Sequence, residues 1–113
     1  EVNYLYDPFH PAVLRLIKMV ADGGQRHGKP VSICGEMAGD PLATLLLIGL
    51  GLNSLSLSPG LIPEVKEIIR ATTLEQAREI ADQCLSASTG DEVRRYLEEA
   101  VGQISPFSLR AKR

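Results

Sequence analysis

Two short β-prone runs, Pro30 to Cys34 and Asn53 to Ser58, are separated by an apolar stretch that reads as a helix, and that order dictates how they can pair. Strands joined through a helix pair in parallel by a right-handed crossover, because a tight hairpin cannot contain the helix. The first run is bounded by Lys29 and Gly35, as expected of a buried strand ending in a tight turn near Cys34. The second alternates small polar residues with Leu55 and Leu57 and is closed by Pro59-Gly60.

Helical periodicity fills the intervals. His10-Pro11 opens a stripe of Val13, Leu14, Ile17 and Val20, with Pro11 at a first helical position where its missing N–H costs nothing. Gly23, Gly24 and Gly28 mark where this helix weakens and stops. Glu36 to Gly39 reads as a loop, after which Asp40-Pro41 supplies a cap for Leu42 to Leu50. That helix is apolar almost all round, so it must be covered on most sides by other protein. Leu61 to Arg70 carries Pro63 and Glu64 in its first turn and Arg70 in its last, in keeping with the helix dipole.

Thr73 to Gln76 and Thr89 to Glu92 are both capping-box sequences. Each starts an amphipathic helix, one lined by Leu74, Ala77, Ile80, Ala81 and Cys84, the other by Val93, Tyr96, Leu97, Ala100 and Val101, and together they form a helical hairpin.

Two parallel strands are too few for an independent sheet and leave open edges. A (β/α)8 barrel takes about 250 residues, so the expected fold class is α/β: the C-terminal portion of such a barrel, about two βα units, followed by the helical hairpin. On this reading residues 1–103 belong to the barrel domain and 104–113 form a polar, basic, disordered tail. The first residue is Glu1 rather than Met, and no leader is evident, so the expectation is a stretch of a longer protein.

Composition narrows the function. With 12 Lys and Arg against 14 Asp and Glu, and 4% aromatic residues, the chain lacks the basic footprint and stacking side chains of a nucleic-acid binder. The apolar run Leu45 to Leu52 is too short for a membrane span. Cys34 and Cys84 with two histidines give neither a disulfide framework nor a metal motif, so a reducing, cytoplasmic setting is expected.

Cys34 is the first chemical candidate, since ligands and catalytic residues gather at the C-terminal ends of parallel strands. Gly35 and Gly39 flank the loop behind it and let backbone and substrate approach closely. A small buried thiol is an equally ready reading of position alone. Asp40 reads as a helix cap, and Glu36 as a group that orients the loop or tunes the thiol. Ser56 and Ser58 could line the same pocket but have no neighbouring base to make them nucleophiles. His10 and His27 read as capping or surface groups, and Cys84 as packing.

The stretch from Gly28 to Asp40, spelled GKPVSICGEMAGD, closely resembles the cysteine signature of the phosphoenolpyruvate-utilising enzymes, on the phosphotransferase-system branch. Leu5 to Leu14 before it, and Gly51 to Ser58 with Ile62-Pro63 after it, resemble the same family, so that the likeness covers about residues 1–103.

The resemblance implies a phosphoenolpyruvate-binding barrel behind domains whose histidine takes the phosphoryl group of phosphoenolpyruvate and hands it to a small phosphocarrier protein, releasing pyruvate. It places the family's essential cysteine on Cys34, as proton donor to C3 of enolpyruvate. It also implies Mg2+, held by carboxylates outside this chain, phosphate-binding arginines outside it too, and a cytoplasmic homodimer of bacterial origin whose contact helps cover the apolar helix Leu42 to Leu50. The substrate-binding residues stay unknown, with Gly35 a candidate. Two alternatives remain open: a pyruvate phosphate dikinase or phosphoenolpyruvate synthase type of barrel fragment, and a non-catalytic dimerisation or interaction module.

Overall fold

The computed structural model describes residues 7–33 and 36–104. Its order is α1 (Pro11–Arg26), β1 (Ser32–Ile33), α2 (Glu36–Gly39), α3 (Pro41–Gly49), β2 (Ser54–Leu55), a 3-10 turn (Pro59–Leu61), α4 (Ile62–Arg70), α5 (Leu74–Leu85) and α6 (Gly90–Ile104). The strands are parallel, with Ser32 opposite Ser54 and Ile33 opposite Leu55. Alternation is visible in their burial: Ser32, Ser54, Ser56 and Ser58 are exposed, whereas Ile33, Leu55 and Leu57 are half-buried. Ile33 and Leu55 pack against the main core.

Helix α3 is the centre of the molecule. The Asp40 carboxylate accepts from Leu42 N at 3.0 Å, satisfying one of the free N–H groups at the helix start, and Pro41 follows at the first helical position. Leu45, Leu46 and Leu47 are all fully buried, because α2, α4, α5 and α6 each pack against this helix. Its nearly uniform apolarity is therefore met within the chain itself, and a second copy is not needed to cover it. The closest crossing is with α5, at Gly49. A Cβ there would collide with the Ala77 carbonyl and lie 2.8 Å from Ala81 Cβ, so only hydrogen lets the two helices approach this far.

Several local expectations are corrected. The strands are shorter than the β-prone runs: two residues each, with the ladder extended by Ser56 N donating to Ile33 O at 3.0 Å. Gly23 and Gly24 lie inside α1 rather than ending it. Gly24 is required by the returning chain: a Cβ would collide with Val31 Cγ2 and come 2.9 Å from Lys29 O. The helix stops at His27 and Gly28, the latter at φ +64°. Val20 does not join the core stripe. Leu14 and Ala21 are buried, but Leu16, Met19 and Val20 are each at least 60% exposed.

Residues 36–39, expected as a loop, form the short helix α2. Leu74 is half exposed, while Ala77, Ala81 and Cys84 of α5 and Val93, Leu97 and Val101 of α6 are buried as the periodicity requires. The first capping box closes on both sides, Gln76 N to Thr73 Oγ1 at 3.1 Å and Thr73 N to Gln76 Oε1 at 3.0 Å. At the second, Glu92 N donates to Thr89 Oγ1 at 3.2 Å, and the Glu92 carboxylate accepts from the Tyr96 hydroxyl at 3.5 Å. Helix α6 runs through Ile104, one residue into the expected tail, and the rest of that tail lies outside the described residues.

Candidate functional site at the C-terminal rim of the parallel strands

In a parallel sheet the C-terminal rim is where successive loops converge. Here β1 ends at Ile33, and the next two residues in the chain, Cys34 and Gly35, lie outside the described residues. So does the Glu36 side chain, whose role is therefore an expectation only. What the structure does describe is the frame on either side of them.

Helix α2 brings the chain back with Met37 and Ala38 buried. Gly39 lies against the segment that follows β2: a Cβ on it would stand 2.7 Å from Leu61 Cδ1 and 3.8 Å from Leu57 Cβ. The loops after both strands thus meet side chain to backbone, with the Leu61 side chain lying close over Gly39. Sequence reading had given Gly39 to the substrate approach. The contact with Leu57 and Leu61 was missed, although Leu57, an apolar residue just past β2, was a signal for it.

The other candidates have assigned partners. Asp40 is engaged at both ends, its carboxylate on Leu42 N and its own N–H donating to Met37 O at 3.2 Å. It is a cap, as its sequence context indicated. Ser56 sits at the rim through its N–H bond to Ile33 O, and Ser58 accepts on its carbonyl from Leu61 N at 3.0 Å where the 3-10 turn begins. Among the described residues, neither hydroxyl meets a base. His10 caps α1, its Nδ1 accepting from Ala12 N at 3.1 Å, and His27 closes the same helix, exposed. Cys84 is fully buried in the core, where burial pushes its thiol from 9.0 up to about 11. Among the described residues there is no group of three or more His, Cys, Asp or Glu placed to hold a metal ion. None of the described helices is long and apolar enough to cross a membrane.

Residues 1–74 match the family model described as PEP-utilising enzyme, PEP-binding domain. The chain belongs to the PEP-utilising enzyme family. The match takes in α1 to α4, both strands and, in sequence, Cys34 and Gly35, so the rim described above is part of the PEP-binding domain unit.

Similarity to curated relatives extends beyond it, into α5 and α6. The chain is 43% identical over 98 residues to the phosphoenolpyruvate-protein phosphotransferase of Haemophilus influenzae, covering 87% of this chain and 17% of that protein. It is 41% identical over 99 residues to the protein of the same name from Listeria monocytogenes, covering 88% and 17%. A multiphosphoryl transfer protein of Xanthomonas campestris is 41% identical over 97 residues, covering 86% and 12%. The chain thus spans less than a fifth of the length of these PEP-utilising relatives.

Proposed function

We propose that this chain is the cysteine-bearing end of a phosphoenolpyruvate-protein phosphotransferase and that Cys34 protonates C3 of enolpyruvate. One observation supports the reading: in a stretch matched to a PEP-binding domain, Cys34 follows in sequence Ile33, the last residue of the first of two parallel strands, and the C-terminal ends of such strands are where these folds bind ligands. A thiol of ordinary pKa, about 8.5, is protonated near neutrality yet gives up its proton at moderate cost, which suits a general acid.

The step balances simply. When the phosphoryl group leaves the C2 oxygen of phosphoenolpyruvate for a histidine elsewhere in the parent, the electron pair stays on that oxygen as an enolate. Collapse to the ketone drives C3 to take the Cys34 proton, giving pyruvate and a thiolate that regains a proton from solvent. The phosphohistidine then passes its group to a small carrier protein. The (β/α)8 barrel, the helical hairpin, the cytoplasmic setting and the homodimer belong to the same reading. Mg2+ would be held by residues of the parent, supplying charge stabilisation for the phosphoryl group, and Gly35 would let the substrate approach.

On this reading the 113 residues alone are inactive. The phosphoryl-transfer names of the three relatives favour this over a dikinase or synthase barrel. Titration calorimetry with phosphoenolpyruvate and Mg2+ tests it, on this chain and on the full-length parent. Binding by the parent alone is the expected result; binding by neither returns the chain to the interaction-module reading.

A further inference from the structure

A cleft of about 690 Å3 runs beside the strands, from Pro30, Val31 and Asn53 before them to Leu57 past the end of β2, between α1, α4 and α5. Its walls are apolar, with Val31, Leu55, Ile48, Val65 and Ile69 among them, and no residue of α2 lines it. Three cationic side chains from three separate elements also line it: Lys29 before β1, Lys66 on α4 and Arg78 on α5. No Asp or Glu does so among the described residues, and none of the three cations is in an ion pair with a described residue. A chain of net charge -2 has carboxylates to spare, so a cleft that gathers three cations and no acid is a local departure from the surface as a whole.

We propose that this cleft binds a small amphipathic anion, an apolar body carrying a carboxylate, sulfonate or phosphate head. The volume falls in the range of small-molecule sites, which combine mostly apolar walls with a few polar groups that fix orientation. Apolar burial supplies affinity for the body, and the cations select the head by charge-assisted hydrogen bonds. Asn53 and Gln25 at the same wall offer further donors. The cleft reaches Leu57 and Ile62 past the end of β2, but its three cations come from Lys29, α4 and α5 and no residue of α2 lines it, so the proposal would stand if the phosphotransferase reading fell.

Fluorescence titration of the 113-residue chain with 8-anilinonaphthalene-1-sulfonate tests this, with uncharged N-phenyl-1-naphthylamine and inorganic phosphate as the two partial probes. The expected result is one saturable sulfonate site, at least about tenfold tighter than either partial probe, weakening about tenfold in Lys66→Gln and in Arg78→Gln and weakening with added salt. Both substitutions are at exposed positions, and an unchanged helical circular dichroism spectrum separates lost binding from lost fold. Equal binding of the uncharged probe, an affinity indifferent to both substitutions, or binding at many equivalent sites would overturn the proposal.

Discussion

The Arg94 guanidinium pairs with the Asp7 carboxylate at 3.1 Å and lies over the Phe9 ring, 4.9 Å from its centroid. Asp7 also accepts from Phe9 N at 3.0 Å, and Gly90 at the start of α6 packs so closely on this carboxylate that a Cβ would collide with it. Four residues thereby pin the segment before α1 to the helix that ends the described chain. The pair is partly solvated, with side chains 40% and 28% exposed, so the ion pair contributes at most about 1 kcal/mol, and the cation over the ring adds a similar amount. Arg94→Gln is expected to lower unfolding free energy by about 1 kcal/mol in urea. In a double-mutant cycle with Asp7→Asn the two losses should fall short of adding; strict additivity would deny the coupling.

At the α3 to α5 crossing, Gly49→Ala should destabilise even though alanine is the better helix former by about 1 kcal/mol. The added methyl meets the Ala77 carbonyl and Ala81 Cβ, both on a packed helix. Overpacking of this kind costs about 1 to 3 kcal/mol, so a net loss of up to about 2 kcal/mol is expected from chemical denaturation. A stabilised variant would show that the helices separate freely.

Thr44 is fully buried in α3, and its Oγ1 has no hydrogen-bond partner among the described residues. Stranding a hydroxyl costs about 1 to 3 kcal/mol. Thr44→Val keeps the shape and removes the polar atom, so thermal melting should show an unchanged or raised midpoint. A fall of several degrees would mean that the hydroxyl is satisfied.

These positions also show what the amino-acid order made legible. Asp40, Thr73 and His10 announced their helix starts, because a capping group acts on a backbone two or three residues away. The parallel pairing followed from an apolar helix standing between two β-prone runs. Contacts remote in sequence were hidden. Gly24 read as a helix breaker, yet its purpose is to admit Val31, and Val20 read as core although it is 60% exposed among the described residues. The short helix α2 was masked by glycines on both flanks, which read as loop. At the candidate site, the residue identified as chemical lies outside the described residues, and what the structure adds is the frame on either side of it: the buried Met37 and Ala38 and the close approach of Gly39 to Leu61.

The two thiols should separate by reactivity. Burial pushes the Cys84 thiol up to about 11, so at pH 8 iodoacetamide should modify Cys34 first and Cys84 only on unfolding. The same displacement makes stability depend on pH. Above pH 9 the unfolded chain sheds this proton while the folded chain keeps it. Folding stability therefore falls as pH rises from about 9 to 11, and Cys84→Ala should flatten that part of the profile. Equal alkylation of both cysteines in the folded chain would contradict the buried placement.

The central claim is proton transfer between Cys34 and C3 of the substrate, and hydrogen exchange reads it directly. The full-length parent and its Cys34→Ser form would be incubated with pyruvate and Mg2+ in deuterium oxide, and loss of the methyl signal followed by proton NMR. The account predicts enzyme-dependent exchange by the parent, falling at least about a hundredfold in the serine form, whose fold and phosphoenolpyruvate binding persist. Exchange at equal rates by both forms would show that the proton comes from elsewhere and that Cys34 takes no part in the transfer.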